Sequence, residues 1–134
     1  MQGKVQIKVR GYHLDIFQHV NNARYLEFLE EGRWAFFDEF DVGDDMLKQG
    51  IVWAVVNINI DFKAEAGFGD VLEVETQFAK LSNRSITMKQ RIVNANNKKL
   101  VVEADVTYVC FSKEHQAAIP LPEDYRQKIE QAIV

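Results

Sequence analysis

The sequence predicts an α+β domain in which a curved antiparallel β-sheet wraps around one long central helix. Residues 23–40 carry apolar side chains at helical spacing over most of the helix surface, which predicts burial on most sides. Four later segments alternate apolar and polar side chains with a period of two, as strands with one buried face do. A sheet packed around the helix is the simplest arrangement that buries both apolar surfaces.

A strand and a polar loop precede the predicted helix. Apolar residues at alternate positions predict the first strand over 5–10, and a polar stretch then continues to position 20. Asn21 and Asn22 follow, and their side-chain oxygens are typical caps of a helix N-terminus. Gly32 lies inside the helix, where glycine costs about 1 kcal/mol relative to alanine. We therefore expect Gly32 to allow close packing against a strand.

Four strands and a short helix complete the prediction after a linker at 42–50. The alternating segments lie at 56–62, 72–78, 86–92 and 102–108. The turns between them lie at 66–69, 81–83 and 94–97. Turns this short predict an antiparallel meander, in which the polar face of each strand points away from the helix. Pro120 and Pro122 predict the start of a last short helix.

Length, charge and cysteine content limit the classes of function. The 134 residues fit one domain spanning 1–134, and no stretch approaches the roughly 18 apolar residues of a membrane span. The N-terminus lacks the apolar core of a signal peptide, and Cys110 has no second cysteine to pair with, so we expect a cytoplasmic protein. A net charge of -4 without a basic run argues against nucleic-acid binding. An exposed sheet edge favours pairing with a second copy, so we expect a homodimer or homotetramer.

The segment 11–22 is the strongest candidate for a site of chemistry. It holds Asp15 and two histidines, His13 and His19, just before the predicted helix. The first turn of a helix presents unpaired N–H groups and a partial positive charge, which polarise a carbonyl oxygen and stabilise an oxyanion. A carboxylate on the preceding loop can attack the same carbonyl or activate a water. The pattern is therefore consistent with acyl transfer.

The same residues also have simpler interpretations. Asp and Asn before a helix are common caps, and a lone histidine such as His19 is more often a hydrogen-bonded structural residue than an acid or base. A metal site built from His13, Asp15 and His19 is a weaker alternative, because loop histidines beside an aspartate are common without metal. Residue types and spacing alone leave a structural cap and a catalytic site both open.

The run from Asp15 to Phe28 reads DIFQHVNNARYLEF and resembles the signature of hotdog-fold thioesterases related to 4-hydroxybenzoyl-CoA thioesterase. That signature is Asp, two variable residues, Gly-His-Val-Asn-Asn, two variable residues and Tyr. The fuller run over 8–34 is similar to bacterial long-chain acyl-CoA thioesterases of this family. The segments 55–60, 62–64 and 69–72 extend the likeness. The resemblance implies a hotdog fold and the hydrolysis of long-chain fatty acyl-CoA to free fatty acid and CoA.

The resemblance also implies roles for individual residues. Asp15 takes the position of the catalytic carboxylate, as nucleophile or as base for water, and the backbone N–H of Asn22 takes that of the oxyanion contact. His19 lines the same turn as a third catalytic candidate. Tyr25 completes the signature and Arg84 falls where related enzymes hold the CoA phosphates, so we expect both to bind substrate. The site of this family lies between two subunits, and no metal or other cofactor is implied because CoA is the leaving group of the substrate.

Two positions depart from the family pattern. Gln18 stands where the signature has glycine, so a positive φ at this position would be adopted with strain. His13 stands where many members have an acidic residue, which leaves the local proton network and the pH optimum open. We expect most of the large aromatic residues to be core, and no more than about two of them to line an acyl tunnel. The candidates for that wall are Phe17, Phe28, Trp34, Trp53 and Phe68.

Two other functions are alternatives to hydrolysis. A non-catalytic acyl-CoA-binding hotdog module should lack a carboxylate at the attack position, and Asp15 argues against it. A hotdog dehydratase pairs a loop histidine with an acid from the long helix, which would require His19 to act with Glu27 or Glu30. Asp15 before the helix favours the thioesterase over this alternative as well.

Overall fold

The structure is a computed structural model that describes residues 1–41 and 47–133. In chain order its elements are β1 (Gly3–Lys8), a 3₁₀ turn (Gly11–His13), α1 (Asn22–Glu39), β2 (Ile51–Phe62), β3 (Val71–Leu81), β4 (Ser85–Asn94), β5 (Leu100–Ser112), β6 (Ala117–Ala118) and α2 (Glu123–Ala132). The long helix and the short helix after Pro122 are therefore confirmed. Positions 42–46 of the predicted linker lie outside the described residues.

The sheet is antiparallel, and its strands lie in the order β1-β3-β4-β5-β2, with the short β6 beside β5. Strands β3, β4 and β5 form the expected meander. The prediction that the turn at 66–69 joins neighbouring strands was wrong, because it connects β2 to β3 and these do not pair. Both edges of β3 are already occupied, one by β1 and the other by β4, so β2 pairs with β5 at the far edge of the sheet.

Helix α1 packs against one face of the sheet, on strands β1, β3 and β4, as the apolar pattern predicted. Leu29 and Phe36 on the helix are 0% and 1% exposed, and the facing Val74 and Phe78 of β3 are buried to the same degree. A Cβ atom added to Gly32 would lie 2.5 Å from Val74 Cγ1. The expected close approach of helix and strand at Gly32 is therefore confirmed.

Two predicted strands differ from the observed ones. The first strand ends at Lys8 instead of position 10. The backbone of Val9 does not pair with β3 and instead exchanges hydrogen bonds with Gly69 and Asp70, which precede β3. Strand β2 starts at Ile51, five residues earlier than predicted, and has a bulge between Val55 and Asn57. Its apolar residues are not all covered, since Val56 is 57% exposed and Phe62 is 52% exposed. Strand β2 therefore contradicts the expectation that every strand exposes only a polar face.

The connection from β2 to β3 crosses the end of the molecule at which α1 begins. Lys63 N donates to Val101 O of β5 at 2.8 Å, and Gly69 N donates to Val9 O at 3.0 Å. Between these two anchors, Ala66 O accepts a hydrogen bond from Val20 N at 2.9 Å. The connection therefore holds the loop before α1 in place. Within the described ranges, no helix has the length and apolar character needed to cross a membrane.

Candidate active site

Asp15 lies in a closed loop directly before α1. Its backbone N–H donates to His19 O at 2.9 Å, and Gln18 N donates back to Asp15 O at 3.1 Å. The carboxylate oxygen Oδ1 accepts hydrogen bonds from Phe17 N at 2.8 Å and from His19 N at 3.3 Å. Both contacts use the same oxygen, and Oδ2 has no donor among residues 1–41 and 47–133. The loop therefore fixes the carboxylate through one oxygen and leaves the other available to a ligand.

The turn that carries Asp15 depends on Gln18. Gln18 has a φ of +64°, in the left-handed region that glycine adopts without penalty. The sequence prediction that glutamine would be strained if this position needed a positive φ therefore applies. Strain of this kind costs of order 1 kcal/mol or more and is held by the surrounding hydrogen bonds. Here those bonds join Gln18 and His19 to Asp15, so the strained residue serves the geometry of the carboxylate.

The start of α1 has one backbone donor left for a ligand. Asn21 is the N-cap, and its side-chain oxygen accepts from Ala23 N at 3.0 Å while its carbonyl accepts from Arg24 N at 2.9 Å. The N–H of Asn22, between them, has no acceptor in the part of the chain that the structure describes. The predicted cap is thus Asn21, and the predicted oxyanion contact is the exposed residue that follows it.

His19 pairs with a residue that sequence reasoning missed. Its Nε2 atom lies 3.1 Å from Glu65 Oε2, on the connection between β2 and β3, and a backbone bridge links His19 with Gly67 next to it. Both side chains are partly exposed. Glu65 has no distinguishing pattern in the sequence, because its proximity arises only when the connection crosses the molecule. The pairing of His19 with Glu27 that a dehydratase would need is not observed, since Glu27 pairs with Arg24 at 2.7 Å.

His13 has a structural position behind the site. It is 8% exposed, and its ring packs edge-to-face against Phe28 at a centroid distance of 4.9 Å. Its Nδ1 accepts from Arg10 N at 2.9 Å, and its carbonyl accepts from the N-cap Asn21 N at 2.9 Å. Burial, and secondarily the charge of Arg24, lower the pKa of His13. His13 is therefore held neutral and connects the two ends of the loop. Among the described residues, no cluster of His, Cys, Asp or Glu is suited to bind a metal ion.

Tyr25 and Arg84 lie in very different places. Tyr25 is 4% exposed on the first turns of α1, and burial raises its pKa to about 12, so its hydroxyl stays protonated. Asp15 and Glu65 are near enough to contribute to this shift. Arg84 is exposed in the turn between β3 and β4, at the far end of β3 from the Asp15 loop. The 11 residues of β3 span roughly 35 Å, so one chain does not bring Arg84 to its own Asp15.

The five aromatic candidates divide between core and surface. Phe28 is 5% exposed and belongs to the core, and Trp53 is partly buried against the second half of α1. Phe17 and Phe68 are 71% and 72% exposed beside the Asp15 loop, and Trp34 is 62% exposed on α1. Exposed apolar side chains grouped around a polar site are typical of a surface that a ligand or partner covers.

Sequence comparison identifies the family. The profile of the thioesterase-like superfamily matches residues 9–129. The chain belongs to this superfamily. Long-chain acyl-CoA thioesterase FadM from Escherichia coli K12 is 42% identical to this thioesterase over 130 residues, which are 97% of this chain and 98% of FadM.

Solved structures of other proteins share the fold of this thioesterase. YbaW, named a probable thioesterase of Escherichia coli, superposes with a TM-score of 0.85 at 41% identity over 98% of this chain and 99% of YbaW. A mutant of 4-hydroxybenzoyl-CoA thioesterase in complex with 4-hydroxybenzoyl-CoA superposes with a TM-score of 0.85 over 96% of this chain and 98% of that one. At 20% identity, the second match shows a common fold alone. The predicted hotdog fold is confirmed, and the chain is a thioester hydrolase.

Proposed function

We propose that this thioesterase hydrolyses long-chain fatty acyl-CoA to free fatty acid and CoA, with Asp15 as nucleophile or general base. The observation that carries this proposal is the geometry of Asp15. One carboxylate oxygen is fixed by two backbone N–H groups, and the other is left for a ligand beside the start of α1. The 42% identity to a protein named a long-chain acyl-CoA thioesterase supports the substrate class.

The reaction follows from two groups at the end of α1. The thioester carbonyl oxygen accepts a hydrogen bond from Asn22 N–H, whose position at the helix start also stabilises the negative charge that develops on attack. If Asp15 attacks, an acyl anhydride forms, the C–S bond breaks and CoA leaves as a thiol with a proton from solvent, and water then hydrolyses the anhydride. If Asp15 is a base, it takes a proton from water while the water oxygen attacks the carbonyl, and CoA leaves in the same way.

Isotope labelling identifies direct attack when water opens the anhydride at the Asp15 carbonyl. In a single turnover in ¹⁸O-labelled water, direct attack places an unlabelled Asp15 oxygen in the fatty acid and ¹⁸O in the enzyme, when water opens the anhydride at the Asp15 carbonyl. General-base catalysis places the ¹⁸O in the fatty acid directly. Mass spectrometry of the acid and of the peptide that contains Asp15 reads both outcomes.

We propose that the active form is a homodimer or homotetramer in which Arg84 of one subunit serves the Asp15 of another. Apolar residues on the edge strand β2 support pairing, since Val56 and Phe62 are both more than half exposed. The distance of Arg84 from its own Asp15 also supports a site shared between chains. Arg84 is a suitable contact for CoA phosphates because it is exposed and carries a guanidinium group.

A mixing experiment tests the shared site. We expect low activity from each variant alone, because Asp15→Asn lowers kcat and Arg84→Ala mainly raises KM. Co-refolded mixtures contain dimers in which one site has both wild-type residues, so activity should rise above the sum of the parents. If both residues of a site come from one chain, mixing restores nothing.

A chain-length profile tests the function itself. Acyl-CoA substrates from short to long are hydrolysed while a thiol reagent reports free CoA, and we expect the largest kcat/KM for long chains. If no chain length is hydrolysed while acyl-CoA still binds, the protein is a binding module. We further propose a cytoplasmic location, which the single buried Cys110 supports and cell fractionation tests.

A further inference from the structure

A groove of about 570 Å³ lies between the second half of α1 and the first half of β2, away from the Asp15 loop. Its walls are mainly apolar and include Trp34, Phe37 and Trp53. Arg33 of α1 and Tyr108 of β5 also line it, together with the carboxylates of Glu30, Asp38 and Asp41. The mechanism at Asp15 uses none of these side chains.

Arg33 is a buried cation held by a network without a negative charge. It is 6% exposed, and it donates from Nε to the Tyr108 hydroxyl at 2.6 Å and from Nη1 to Gln90 Oε1 at 3.1 Å. Gln90 is itself 0% exposed and is fixed by Thr76 Oγ1 and Leu29 O, each at 2.9 Å. In the described part of the chain, Arg33 forms no salt bridge. The network therefore orients the guanidinium group through neutral hydrogen-bond partners.

The inner wall of the groove carries hydrogen-bond donors that are not used within the described residues, beside three carboxylates, Glu30, Asp38 and Asp41, that also line it. A guanidinium group has five N–H donors, and Arg33 uses two of them. The Tyr108 oxygen already accepts from Arg33, so the hydrogen of its hydroxyl is available to donate, and burial raises the pKa of Tyr108 so that it keeps this hydrogen. The indole Nε1 of Trp53 is buried without a partner among the described residues, and its ring lies 6.5 Å from that of Tyr108. Buried donors without acceptors are costly, so a ligand with an acceptor would stabilise this arrangement.

One face of α1 runs from the Asp15 site to this groove. Asn22, Leu26, Glu30, Arg33 and Phe37 recur at intervals of three and four residues, so they lie along one face of the helix. Leu26 is 41% exposed on this face. At about 1.5 Å per residue, Arg33 lies roughly 16 Å along the axis from Asn22. A zigzag chain of C–C bonds of about 1.5 Å covers that distance in roughly a dozen carbons.

We propose that the groove binds the distal part of the acyl chain and that Arg33, Tyr108 and Trp53 recognise an oxygen atom on it. Acyl-CoA oxygenated about a dozen carbons from the thioester would then be the preferred substrate class. This inference rests on the proposed thioesterase function and adds a specificity site to it. Because the carboxylates of Glu30, Asp38 and Asp41 line the groove, a neutral hydroxyl oxygen fits better than a terminal carboxylate.

The test compares three substrates of equal chain length: dodecanoyl-CoA, ω-hydroxydodecanoyl-CoA and the mono-CoA thioester of dodecanedioic acid. We expect the wild-type kcat/KM to be about tenfold higher for the ω-hydroxy substrate than for dodecanoyl-CoA, as one hydrogen bond to a charged group allows. Tyr108→Phe and Trp53→Phe should each lower this ratio towards one. Tyr125→Phe also removes a hydroxyl but lies outside the groove lining, so the ratio should be unchanged.

A binding measurement separates this site from the catalytic proposal. Calorimetric titration of the Asp15→Asn protein with ω-hydroxydodecanoate and dodecanoate should show the same preference without any hydrolysis. If no acyl-CoA is hydrolysed but the preference in binding persists, the proposed function fails and the donor site stands. A stronger preference for the dicarboxylate would overturn the assignment of a neutral hydroxyl as the recognised group. Equal binding and equal kcat/KM for all three chains, or a preference that both groove variants retain, would overturn the inference.

Discussion

Replacing Asp15 by asparagine removes a negative charge and keeps the atom that organises the loop. The oxygen Oδ1 accepts from Phe17 N and His19 N, and an asparagine side chain retains an equivalent carbonyl oxygen. The Asp15→Asn variant should therefore fold like the wild type. Asp15→Ala loses the acceptor altogether and tests the structural contribution of the same residue.

The magnitudes of the two effects differ enough to separate them. Loss of a base or nucleophile typically lowers the rate by 10² to 10⁴, so we expect kcat of Asp15→Asn to fall at least about 10²-fold. Two backbone hydrogen bonds to a loop side chain contribute about 1–2 kcal/mol of stability, comparable to a helix cap. The free energy of unfolding should thus fall by this amount in Asp15→Ala and by less than about 1 kcal/mol in Asp15→Asn.

The assay combines thiol release with chemical denaturation. Release of CoA from a long-chain acyl-CoA gives kcat and KM, and urea unfolding followed by fluorescence gives the stability of each variant. Asp105→Asn provides a matched control, because it removes an exposed carboxylate from β5 on a different part of the surface. We expect this control to match the wild type in both measurements.

Two results would refute the reasoning about Asp15. Turnover of Asp15→Asn within a few-fold of the wild type would remove the carboxylate from the chemistry and leave Asp15 as a loop acceptor. A large loss of stability in Asp15→Asn would show that the charge, and not the oxygen acceptor, holds the loop. In that case a fall in kcat would no longer identify a catalytic role.

Three further predictions concern residues around this site and the core. Gly32→Ala should lower the free energy of unfolding by about 1–2 kcal/mol, because the clash with Val74 outweighs the gain in helix propensity, and urea unfolding measures the change. The pKa of His13 is lower in the folded protein than its ordinary 6.5. The free energy of unfolding should therefore be at its full value above pH 6.5 and fall as the pH drops below it. His13→Asn should reduce this fall, which urea unfolding at several pH values measures. Glu65→Gln should lower kcat/KM by about threefold to tenfold through misorientation of His19, which thiol-release kinetics measure.

Each of these predictions has a result that contradicts it. A Gly32→Ala protein as stable as the wild type would mean that strand β3 moves to admit the methyl group. A pH dependence of stability that is identical in His13→Asn would assign it to other groups. A Glu65→Gln enzyme with unchanged kcat/KM would mean that its contact with His19 is a surface ion pair that does not affect catalysis, as is usual for exposed pairs.

Much of the fold could be predicted because its signals are local. Periodic apolar residues predicted α1 to within one residue at each end, and alternation located all four later strands. The pairing of β2 could not be read in this way. A short turn normally joins neighbouring strands, but β3 was already paired with β1 and β4, and strand pairing over long sequence separations leaves no local pattern.

In the candidate site, too, the sequence predicted the local features but not the contacts between distant segments. Asp15, the Asn21 cap and the exposed Asn22 N–H belong to one contiguous segment, so sequence spacing predicted that they lie together. The partner of His19 comes from position 65, and nothing near Glu65 in the sequence indicates it. The groove residues Arg33 and Tyr108 were also missed, because nothing in the sequence indicates that a helix arginine and a strand tyrosine far apart in the chain form a hydrogen bond.

The sequence by itself determined which segments form helix and strand and where α1 is capped. Its resemblance to hotdog thioesterases also indicated Asp15 as the candidate catalytic carboxylate before that helix. Tertiary structure alone decided that β2 lies at the edge of the sheet, that Glu65 reaches His19, and that the buried Arg33 is hydrogen-bonded to Tyr108 and Gln90. The physical reason is the distance along the chain over which each kind of interaction acts. Backbone propensity and side-chain periodicity act over a few residues, whereas strand partners, ion pairs and desolvation depend on chain segments that only folding brings together.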